Sequence, residues 1–394
     1  MKILLINHFP LKGSGSGFYV KNIAKSLVSL GHEVCVVMPE NTDEIEQVEG
    51  VIIKPVFFKY DKHIDNSLPF NFPCFTTHPR SNVRFDELND MQIEMYKKAF
   101  EKTIEEVIYE FNPDIINAQH IWILASVASK YSIPTILTSH GTDLIGYNAW
   151  EKFRGYANEA VKKCKKIITI SESNNHQVEE IFEEAIGKTV CISNGFDKES
   201  FYKENYKKHE ILKQVGIDKE YKKILLFSGK LVEVKGVDLL LKAAKIYENE
   251  DILTIICGDG VLHKQLEDMA KELNLKNVVF IGNQSQIVLR KLYNIADATV
   301  LSSRYEGLPL TVLESLACGT PVVVTNIDSM QEFMKKEFGI MVEKENHEAL
   351  AKGIIDMLNK NQQYDSNKLA NYMKENYAQE ILTKKIVEVY KNCI

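Results

Sequence analysis

The chain alternates short apolar runs with helix-like segments along most of its length, and this alternation limits the folds open to it. In the first half, for example, Ile3–Asn7 reads as a strand and Tyr19–Leu30 as an amphipathic helix that ends at Gly31. Such alternation is typical of βαβ units, whose parallel sheet is covered by helices on both faces. The predicted strands of the first half are Ile3–Asn7, Glu33–Met38, Ile115–Ala118, Thr135–Ser139, Lys166–Ile170 and Val190–Ser193.

A second series of the same kind follows the polar stretch Asp197–Lys222, which we interpret as a linker. Its predicted strands are Lys223–Ser228, Ile252–Cys257, Val278–Ile281, Ala298–Leu301 and Val322–Thr325. The last predicted helix, at about Glu375–Cys393, comes after the second sheet is complete. We therefore predict an α/β protein of two doubly wound parallel-sheet domains that face a cleft, at residues 1–197 and 198–374.

One segment, from about Phe57 to Asn89, breaks this alternation. It holds Pro69, Pro73 and Pro79 among aromatic residues and shows no clear period. A loop of this length is uncommon in a compact domain unless it serves binding or catalysis. We therefore predict a long functional loop here.

The composition argues against several classes of function. The net charge of −6 and pI near 6.0 argue against a general nucleic-acid binder, which needs a basic surface. The seven cysteines include no C-x-x-C pair, which favours a reduced, cytoplasmic protein. No stretch approaches the roughly 18–20 apolar residues that span a bilayer, and Met1–Asn7 is too short an apolar run for a signal peptide. The His, Cys and acidic residues show no tight metal-binding spacing such as H-E-x-x-H.

The segment Ser303–Glu314, which reads Ser-Arg-Tyr-Glu-Gly-Leu-Pro-Leu-Thr-Val-Leu-Glu, carries the strongest chemical signal. It places Glu306 and Glu314 on either side of a predicted loop-to-helix junction, with seven residues between them. Pro309 suits the first turn of that helix and Gly319 suits its exit. Free N–H groups at a helix start attract a phosphate, and carboxylates bind sugar hydroxyls, so the segment predicts a sugar-nucleotide pocket. The alternative is an amphipathic helix whose acids are solvated.

Two lysines, Lys230 and Lys235, follow the first strand of the second series. Ammonium groups at the carboxyl edge of a parallel sheet are well placed for a diphosphate, because crevices form there. They would also stabilise the negative charge on a departing nucleotide. The alternative is a pair of solvated surface lysines.

A glycine-rich segment, Gly13–Gly17, lies between the first strand and the first helix, and it would allow close approach of a phosphate or sugar. No G-x-G-x-x-G register fits, which counts against a dinucleotide site. Glu40, after the second strand, could nevertheless act as the ribose-binding acid of such a site. The alternative is a flexible linker.

The Ser303–Glu314 segment resembles the E-x7-E signature of the retaining glycosyltransferases of family 4, which have the GT-B fold of two Rossmann-like domains. The resemblance covers nearly the whole chain and is strongest over Lys223–Thr325. It implies an acceptor-binding first domain, rejoined by residues 375–394, and a second domain that binds the nucleotide sugar. Two departures are Lys230, where the family usually has arginine, and Ile327-Asp328, where it often has a glycine pair.

The same resemblance implies a set of donor-site residues. Glu314 would hold the ribose hydroxyls, Glu306 would position the sugar, and Lys230 and Lys235 would neutralise the diphosphate. The remaining positions implied for the donor are Gly307, Leu308, Pro309, Gly15, Gly17, Gly258, Gly260, Gly282 and Asn283.

The first domain offers a second set of residues. The segment Thr138–Asp143 looks like the H-G-x-D element of the family, which implies that His140 bonds a hydroxyl of the transferred sugar. Asp143 would orient this element or contact the acceptor, and His120 is a second candidate facing the cleft. For the acceptor, the aromatic loop contributes the candidates His78 and Arg80. Asn194, in an N-G-x-D element, is interpreted as structural.

We expect from the resemblance a retaining transfer of a hexosyl unit from a nucleotide diphosphate sugar to an acceptor hydroxyl, without an essential metal or a cofactor. UDP is preferred because it is the commoner donor base in the family. The acceptor would be a small molecule or a lipid-linked glycan. Lys162–Lys166 either complements a helix C-terminus or makes a weak peripheral contact with the inner face of the membrane.

Three alternative functions remain open at this point. An inverting or epimerase-type enzyme on the same fold would bind a sugar nucleotide but give a different product. A non-catalytic partner subunit would bind without turnover, but it would not need Glu306, Glu314, Lys235 and His140 together. An NAD-dependent enzyme is disfavoured by the missing glycine fingerprint.

Overall fold

The computed structural model describes residues 1–59, 67–360 and 363–394. Contacts divide the chain into two compact units. Unit 1 comprises Met1–Ser193 together with Leu382–Ile394, and unit 2 comprises Asn194–Ile381. Each unit is described by itself below.

Unit 1 is built on a parallel sheet that has seven strands in the described residues, in the order β3-β2-β1-β4-β5-β6-β7. The strands are β1 Lys2–Ile6, β2 Glu33–Glu40, β3 Val51–Phe57, β4 Ile115–Gln119, β5 Thr135–Ser139, β6 Lys166–Thr169 and β7 Thr189–Cys191. The helices are α1 Gly15–Ser29, α2 Asp90–Phe111, α3 Ile123–Ala128, α4 Thr142–Ala149, α5 Arg154–Lys163 and α6 Glu172–Ile181, with the end of α15 Gln379–Lys391. Because β1 is central, Leu4 and Ile6 pack into the core on one face, while Ile3 and Leu5 pack into the core on the other.

Unit 2 repeats this plan with six described strands in the order β10-β9-β8-β11-β12-β13. The strands are β8 Lys223–Ser228, β9 Ile252–Cys257, β10 Val278–Gly282, β11 Ala298–Leu301, β12 Val322–Thr325 and β13 Gly339–Val342. The helices are α7 Lys208–Gln214, α8 Val237–Ile246, α9 His263–Glu272, α10 Gln286–Ile295, α11 Leu310–Ala317, α12 Asp328–Phe333, α13 His347–Lys360 and α14 Ser366–Tyr377. The strand order reverses between β8 and β11, which is where doubly wound sheets form ligand crevices at their carboxyl edge.

The predicted α/β fold with two doubly wound parallel sheets is confirmed, and each predicted strand is present within two residues of its expected ends. The sequence reading missed β3 and β13, which lie at the edges of their sheets. Both are partly exposed along their length, and β3 contains Lys54 and Pro55, so neither gives the continuous apolar run of a buried strand.

The predicted linker is wrong, because its residues belong to unit 2. Phe201, Ile211, Leu212 and Ile217 are buried in that unit's core, and α7 lies within the stretch. The polar composition of the segment hid these apolar anchors.

The last predicted helix is two helices, α14 and α15, with a break at Ala378. The break has a cause in the backbone, since Phe196 N donates to Tyr377 O at 3.1 Å and Gln379 N donates to Phe196 O at 2.9 Å. From Leu382 onward α15 packs into a core of unit 1.

The irregular segment after β3 contains no long element where it is described. Isolated bridges such as Cys74↔Arg84 and a single 3-10 turn at Phe85–Glu87 hold it together. Residues 60–66 of the predicted loop lie outside the described residues. Of the helices described, none has the length and apolar character needed to cross a membrane.

Candidate functional site

Lys235 and Glu306 meet at the carboxyl edge of the unit 2 sheet, although they are 71 residues apart in sequence. Lys235 Nζ and Glu306 Oε1 form an ion pair, and Ser303 Oγ donates a second hydrogen bond to the same oxygen at 2.8 Å. Their side chains are only 21% and 14% exposed. The structure thus brings together two residues that the sequence proposed separately, in a pair that an anionic ligand could rearrange.

The loop that carries Lys235 is held against the loop that carries Glu306 by a close backbone approach. Lys235 ends the 3-10 turn Glu233–Lys235, and Gly236 follows in the left-handed region at φ 62°. A Cβ on Gly236 would lie 2.0 Å from Ser302 O, so a side chain cannot be placed there. Ser302 Oγ in turn donates to Lys235 O at 3.0 Å.

Arg304 fastens the same two loops with its guanidinium group. It donates to both carboxylate oxygens of Asp238 at 2.9 Å, to Glu233 O at 2.6 Å and to Glu345 at 2.7 Å. Its backbone N donates to Val234 O at 2.7 Å. A bidentate fork of this kind fixes geometry as well as adding energy. Sequence reasoning missed this contact, which joins residues 66 apart.

The start of α11 presents backbone donors beside the ion pair. In the described structure, the amides of Gly307, Leu308, Leu310 and Thr311 donate no hydrogen bond. Pro309 is the N-cap residue rather than the first helical residue, and it has no N–H to give. The predicted donor-site role of Pro309 is therefore limited to shaping the chain between two pairs of free amides.

Glu314 lies in the second turn of α11 and is partly buried. Tyr293, which is fully buried, donates its hydroxyl to Glu314 Oε2 at 3.1 Å. Burial raises the pKa of Glu314 to about 7. The carboxyl group therefore changes its charge readily near neutral pH, when a ligand offers hydroxyl donors.

Lys230 is exposed and takes no part in the Lys235–Glu306 ion pair. Its loop packs against the backbone after β9, where Leu231 N donates to Asp259 O at 2.9 Å. Nothing in the described contacts gives Lys230 the buried setting of Lys235, so its predicted role stays a prediction.

The glycines after β9 have a structural reason to be glycine. A Cβ on Gly258 would lie 1.8 Å from Gly229 O, and one on Gly260 would lie 2.4 Å from Leu231 O. We predicted close approach of a ligand at these positions, but the close neighbour is the protein's own backbone. Gly282, with φ 65°, has open space beside it, and Asn283 is exposed. These two remain compatible with ligand approach.

In unit 1, His140 follows β5 at the carboxyl edge of the sheet. Its Nε2 lies 3.0 Å from Gln119 Oε1, and its backbone N donates to Asp143 Oδ1 at 3.2 Å. The ring packs edge-on against Tyr19 and lies 4.7 Å, centroid to centroid, from His120. Burial lowers the pKa of His140 to about 3, so the ring is neutral at ordinary pH.

His120 and Asp143 are buried, which contradicts the contacts predicted for them. His120 is 1% exposed, adopts a left-handed backbone at φ 67° and packs between Phe9 and Phe75. Asp143 is fully buried and accepts from Ile121 N at 2.8 Å. Asp143 therefore orients the loops after β4 and β5, which was one predicted role, and it does not reach an acceptor.

The acceptor candidates of the aromatic loop are also engaged within the protein. His78 is 4% exposed, lies 3.2 Å from Lys12 O and accepts from Arg80 N at 3.1 Å. Arg80 donates to both oxygens of buried Glu40, at 2.5 and 3.4 Å. His78 thus has structural contacts within the protein, and the positive charge of Arg80 is paired with the Glu40 carboxylate. The same ion pair withdraws Glu40 from the ribose role that a dinucleotide site would need.

Gly15 and Gly17 lie in the first turn of α1 rather than in a loop before it. The helix begins early because Ser14 is its N-cap and accepts from Gly17 N at 3.0 Å. A Cβ on Gly17 would lie 2.1 Å from Pro10 O, so this glycine serves packing. Gly15 has open space beside it, so its place near a ligand stays a prediction.

Two lysines of the segment Lys162–Lys166, which runs from the end of α5 to the start of β6, have local partners. Lys163 pairs with Glu159 at 2.8 Å, and Lys166 Nζ donates to Gly187 O at 2.9 Å. A membrane contact of this cluster stays a prediction. Among the residues that the structure describes, no group of three or more His, Cys, Asp or Glu side chains could hold a metal ion.

Comparison with known proteins gives consistent matches over nearly the whole chain. Residues 207–380 match the model of the family described as Glycosyl transferases group 1, and residues 13–200 match that of Glycosyltransferase Family 4. An uncharacterized glycosyltransferase of Methanocaldococcus jannaschii is 28% identical, over 99% of this chain and 98% of the relative.

Solved structures resemble the chain in fold. Sucrose-phosphate synthase from Thermosynechococcus elongatus has a TM-score of 0.78 at 17% identity, over 100% of this chain and 98% of that chain. Anabaena HepE, solved in complex with UDP and glucose, has a TM-score of 0.72 at 15% identity, over 100% of both chains.

Proposed function

The chain belongs to the family 4 glycosyltransferases of the GT-B fold, and on that premise we propose that it transfers a hexosyl unit from a nucleotide diphosphate sugar to an acceptor hydroxyl with retention of configuration. The observation that carries the proposal is the Lys235–Glu306 ion pair beside the free amides at the start of α11. Cation, carboxylate and amides together match the chemistry of a sugar diphosphate.

The diphosphate would bind Lys235 and the amides of Leu310 and Thr311. Backbone donors at a helix start are already oriented toward an anion, so little reorganisation is needed when the leaving group gains charge. When a phosphate oxygen takes Lys235 as its partner, Glu306 is released to accept hydrogen bonds from sugar hydroxyls. The ion pair thus holds both side chains in place for the donor.

Glu314 would bind the ribose. Its carboxyl group is ready to ionise, and two vicinal hydroxyls that donate to it would favour the charged form. Tyr293 keeps one oxygen oriented, so the other is available to the ligand. On this account, nucleotide binding weakens as the pH falls below about 7, because Glu314 takes up a proton.

His140 of unit 1 would hydrogen-bond a sugar hydroxyl as a neutral ring. No side chain is assigned as a nucleophile. We propose that the acceptor hydroxyl oxygen attacks the anomeric carbon from the face that the diphosphate leaves. The bond from that carbon to the diphosphate oxygen breaks, and the hydroxyl proton passes to the departing diphosphate, so positioning and electrostatic stabilisation provide most of the acceleration. UDP is the proposed base, supported by the UDP complex of Anabaena HepE. The acceptor is proposed to be a small molecule or a lipid-linked glycan.

A ligand panel tests this proposal. UDP, GDP, ADP and their common sugar conjugates are compared by thermal shift and calorimetry, with and without magnesium, because a ligand that binds the folded state raises its apparent stability. The expected result is saturable binding of one nucleotide series that Lys235→Ala and Glu314→Ala both weaken. Lys264→Ala is a matched control, because it removes the same type of side chain from an exposed lysine that pairs with Asp268 on the surface of α9.

The product then decides among the alternatives. With the bound nucleotide sugar and a panel of acceptor glycans, proton NMR of the product reports the anomeric configuration. A retained anomer supports the proposal, and an inverted anomer or an isomerised sugar nucleotide contradicts it. If a folded sample binds no nucleotide at all, a non-catalytic partner subunit becomes the better account.

A further inference from the structure

Three polar side chains form a buried chain beneath His140 in unit 1. Thr138 Oγ1 donates to Asn117 Oδ1 at 3.1 Å, and Gln119 Nε2 donates to the same oxygen. Gln119 then places its Oε1 3.0 Å from His140 Nε2. Thr138, Asn117 and Gln119 are each 1–2% exposed, so these partners cannot be exchanged for bulk water.

The direction of this chain determines which ring nitrogen of His140 carries the proton. Because Asn117 Oδ1 accepts from the Gln119 amide nitrogen, Gln119 presents its carbonyl oxygen to the ring. A carbonyl oxygen only accepts hydrogen bonds, so Nε2 must be the protonated nitrogen. Nδ1 is then left with a lone pair.

The rest of the surroundings hold the ring in this position. Tyr19 and His120 pack against it, with centroids 4.9 and 4.7 Å away, while Asp143 accepts from the backbone N of the same residue. Within the described chain, Nδ1 of His140 makes no hydrogen bond and is not among the buried unpartnered atoms. It is therefore accessible to a ligand.

We propose that Gln119 is a positioning residue that fixes His140 as the Nε2–H tautomer and so makes Nδ1 an acceptor for a substrate hydroxyl. This inference rests on the proposed function for its substrate, but the tautomer is a property of the free protein. It has a consequence for recognition, because a hydroxyl that donates is bound and a group that only accepts is rejected. The low pKa of His140 is consistent with this role, since the ring stays neutral.

The first test is spectroscopic. The protein is labelled with 15N-histidine, and His140 is assigned among the ten histidines by comparison with His140→Asn. The expected spectrum shows a protonated Nε2 and an unprotonated Nδ1 for His140 in the wild type. A protonated Nδ1, or an exchanging mixture of tautomers, overturns the inference whether or not the protein transfers sugar.

The second test separates tautomer control from packing. Gln119→Leu removes the acceptor, so both tautomers should appear and kcat should fall by about tenfold at unchanged fold. Gln119→Glu keeps an acceptor oxygen and adds a charge, so the Nε2–H tautomer should persist and activity should return at high pH. Its pH profile should gain an acidic limb, because the new carboxylate raises the pKa of His140. The other titratable groups against this ring are Tyr19, His120 and Asp143.

Thr135→Val is the matched control, since this buried hydroxyl of β5 lies within hydrogen-bond distance of Ala128 O and Ile133 O, away from the histidine ring. Its spectrum and kinetics should match the wild type. If Gln119→Leu leaves the His140 spectrum unchanged, Gln119 does not set the tautomer. If the wild type transfers no sugar, the proposed function fails, and the spectrum alone still decides the inference.

Discussion

The two units handle polar chemistry in opposite ways. In unit 2 the candidate site is ionic and partly open, with Lys235 paired to Glu306 and Arg304 paired to Asp238. In unit 1 the site is neutral, with the partly buried His140 ring hydrogen-bonded to the buried Gln119. Burial lowers the pKa of the histidine rings there, so they stay neutral even below pH 6.5, where a histidine in water becomes charged.

On the proposed function, the difference follows from what each site would bind. A diphosphate changes charge when it leaves, so fixed charges and amides that meet this change can act on the rate. A sugar hydroxyl stays neutral, so a neutral hydrogen-bond acceptor in a fixed orientation is sufficient. A buried charge would add a desolvation cost to the folded state. Charged side chains therefore suit the unit 2 site, where the charge of the ligand would change, and a neutral, fixed side chain suits the unit 1 site, where it would not.

The sharpest way to break this comparison is to remove the cation. Lys235→Ala should lower kcat by about 100- to 1000-fold, as expected for loss of one group that stabilises a developing negative charge. Steady-state assays at several salt concentrations measure the loss, with Lys264→Ala as control. A change below about threefold, in a variant whose melting temperature is unaltered, would remove Lys235 from the phosphate site.

Acid unfolding tests the neutral character of unit 1. Burial lowers the pKa of His8 and His140 to about 3 and that of His120 well below its ordinary value, 6.5. The unfolded chain takes up these protons below pH 6.5, whereas the folded chain does not. The contribution of the three neutral rings to the free energy of unfolding is therefore fully present above pH 6.5 and is lost as the pH falls. The free energy of unfolding should drop by up to about 4 kcal/mol per pH unit between pH 6 and 5.

Urea titrations at pH 7, 6 and 5 measure this slope. Both tryptophans of the chain, Trp122 and Trp150, lie in unit 1, so their fluorescence reports that unit. His140→Asn removes one of the three histidines and should therefore reduce the slope of the free energy against pH by about one third. His263→Asn in unit 2 should leave the slope unchanged. A flat free energy between pH 7 and 5 would mean that the buried rings are not held neutral.

Glu314 resembles the histidines of unit 1 in that burial shifts its pKa. Its effect on stability has the opposite pH dependence, because it lowers the free energy of unfolding as the pH rises. Burial raises the pKa of Glu314 from 4.5 to about 7. The folded state thus binds more protons than the unfolded chain between these values, so the free energy of unfolding falls as the pH rises from about 4.5 to about 7 and levels off above that. Glu314→Gln should be more stable than the wild type at pH 8, by about 1–3 kcal/mol, and equal to it near pH 4.

Calorimetric melting at the two pH values checks this. The glutamine still accepts from the Tyr293 hydroxyl, so the change removes mainly the charge. Glu272→Gln, on the exposed face of α9, serves as control and should gain nothing. Equal stability of Glu314→Gln and the wild type at pH 8 would show that solvent already screens this carboxylate.

The parts of this molecule that the sequence predicted are those set by local pattern. Buried strands such as β5 and β9 have the bounds expected from their apolar runs, and the loop-to-helix junction before Glu314 is where the proline and glycine placed it. These signals are local because apolar residues recur at the spacing of a strand or helix, and because residues such as proline and glycine mark the ends of a helix.

The parts that failed depend on partners distant in sequence. Arg304 meets Asp238 across 66 residues, and nothing local distinguishes either from a solvated charge. His120 looks like a ligand-facing histidine because it follows a strand, but its left-handed backbone turns it into the aromatic core. Gly258, in a glycine-containing turn after a strand, looks like a point where a ligand approaches the backbone. The space beside it is instead filled by the carbonyl oxygen of Gly229.

The smallest predicted effect concerns Arg304, which touches no substrate on the proposed account. Its guanidinium group holds the Glu233 carbonyl oxygen and the Asp238 carboxylate to the Glu306 loop. Loosening that clamp should misplace Lys235 slightly, so Arg304→Ala should lower kcat/KM for the donor by about tenfold. Arg304→Lys should recover little of this, because an ammonium group cannot replace a planar, bidentate fork.

A double-mutant cycle gives the decisive measurement for this clamp. If Arg304 acts through the ion pair, Arg304→Ala should cost less than about twofold when Lys235 is already alanine, because the shared effect is then absent. Glu345→Ala, which removes only the contact between the guanidinium and this half-exposed carboxylate, is the mild control. Full additivity of the two alanine substitutions would make Arg304 a stabiliser of the fold alone, and the ionic site of unit 2 would then be organised by Gly236 and Ser302 without it.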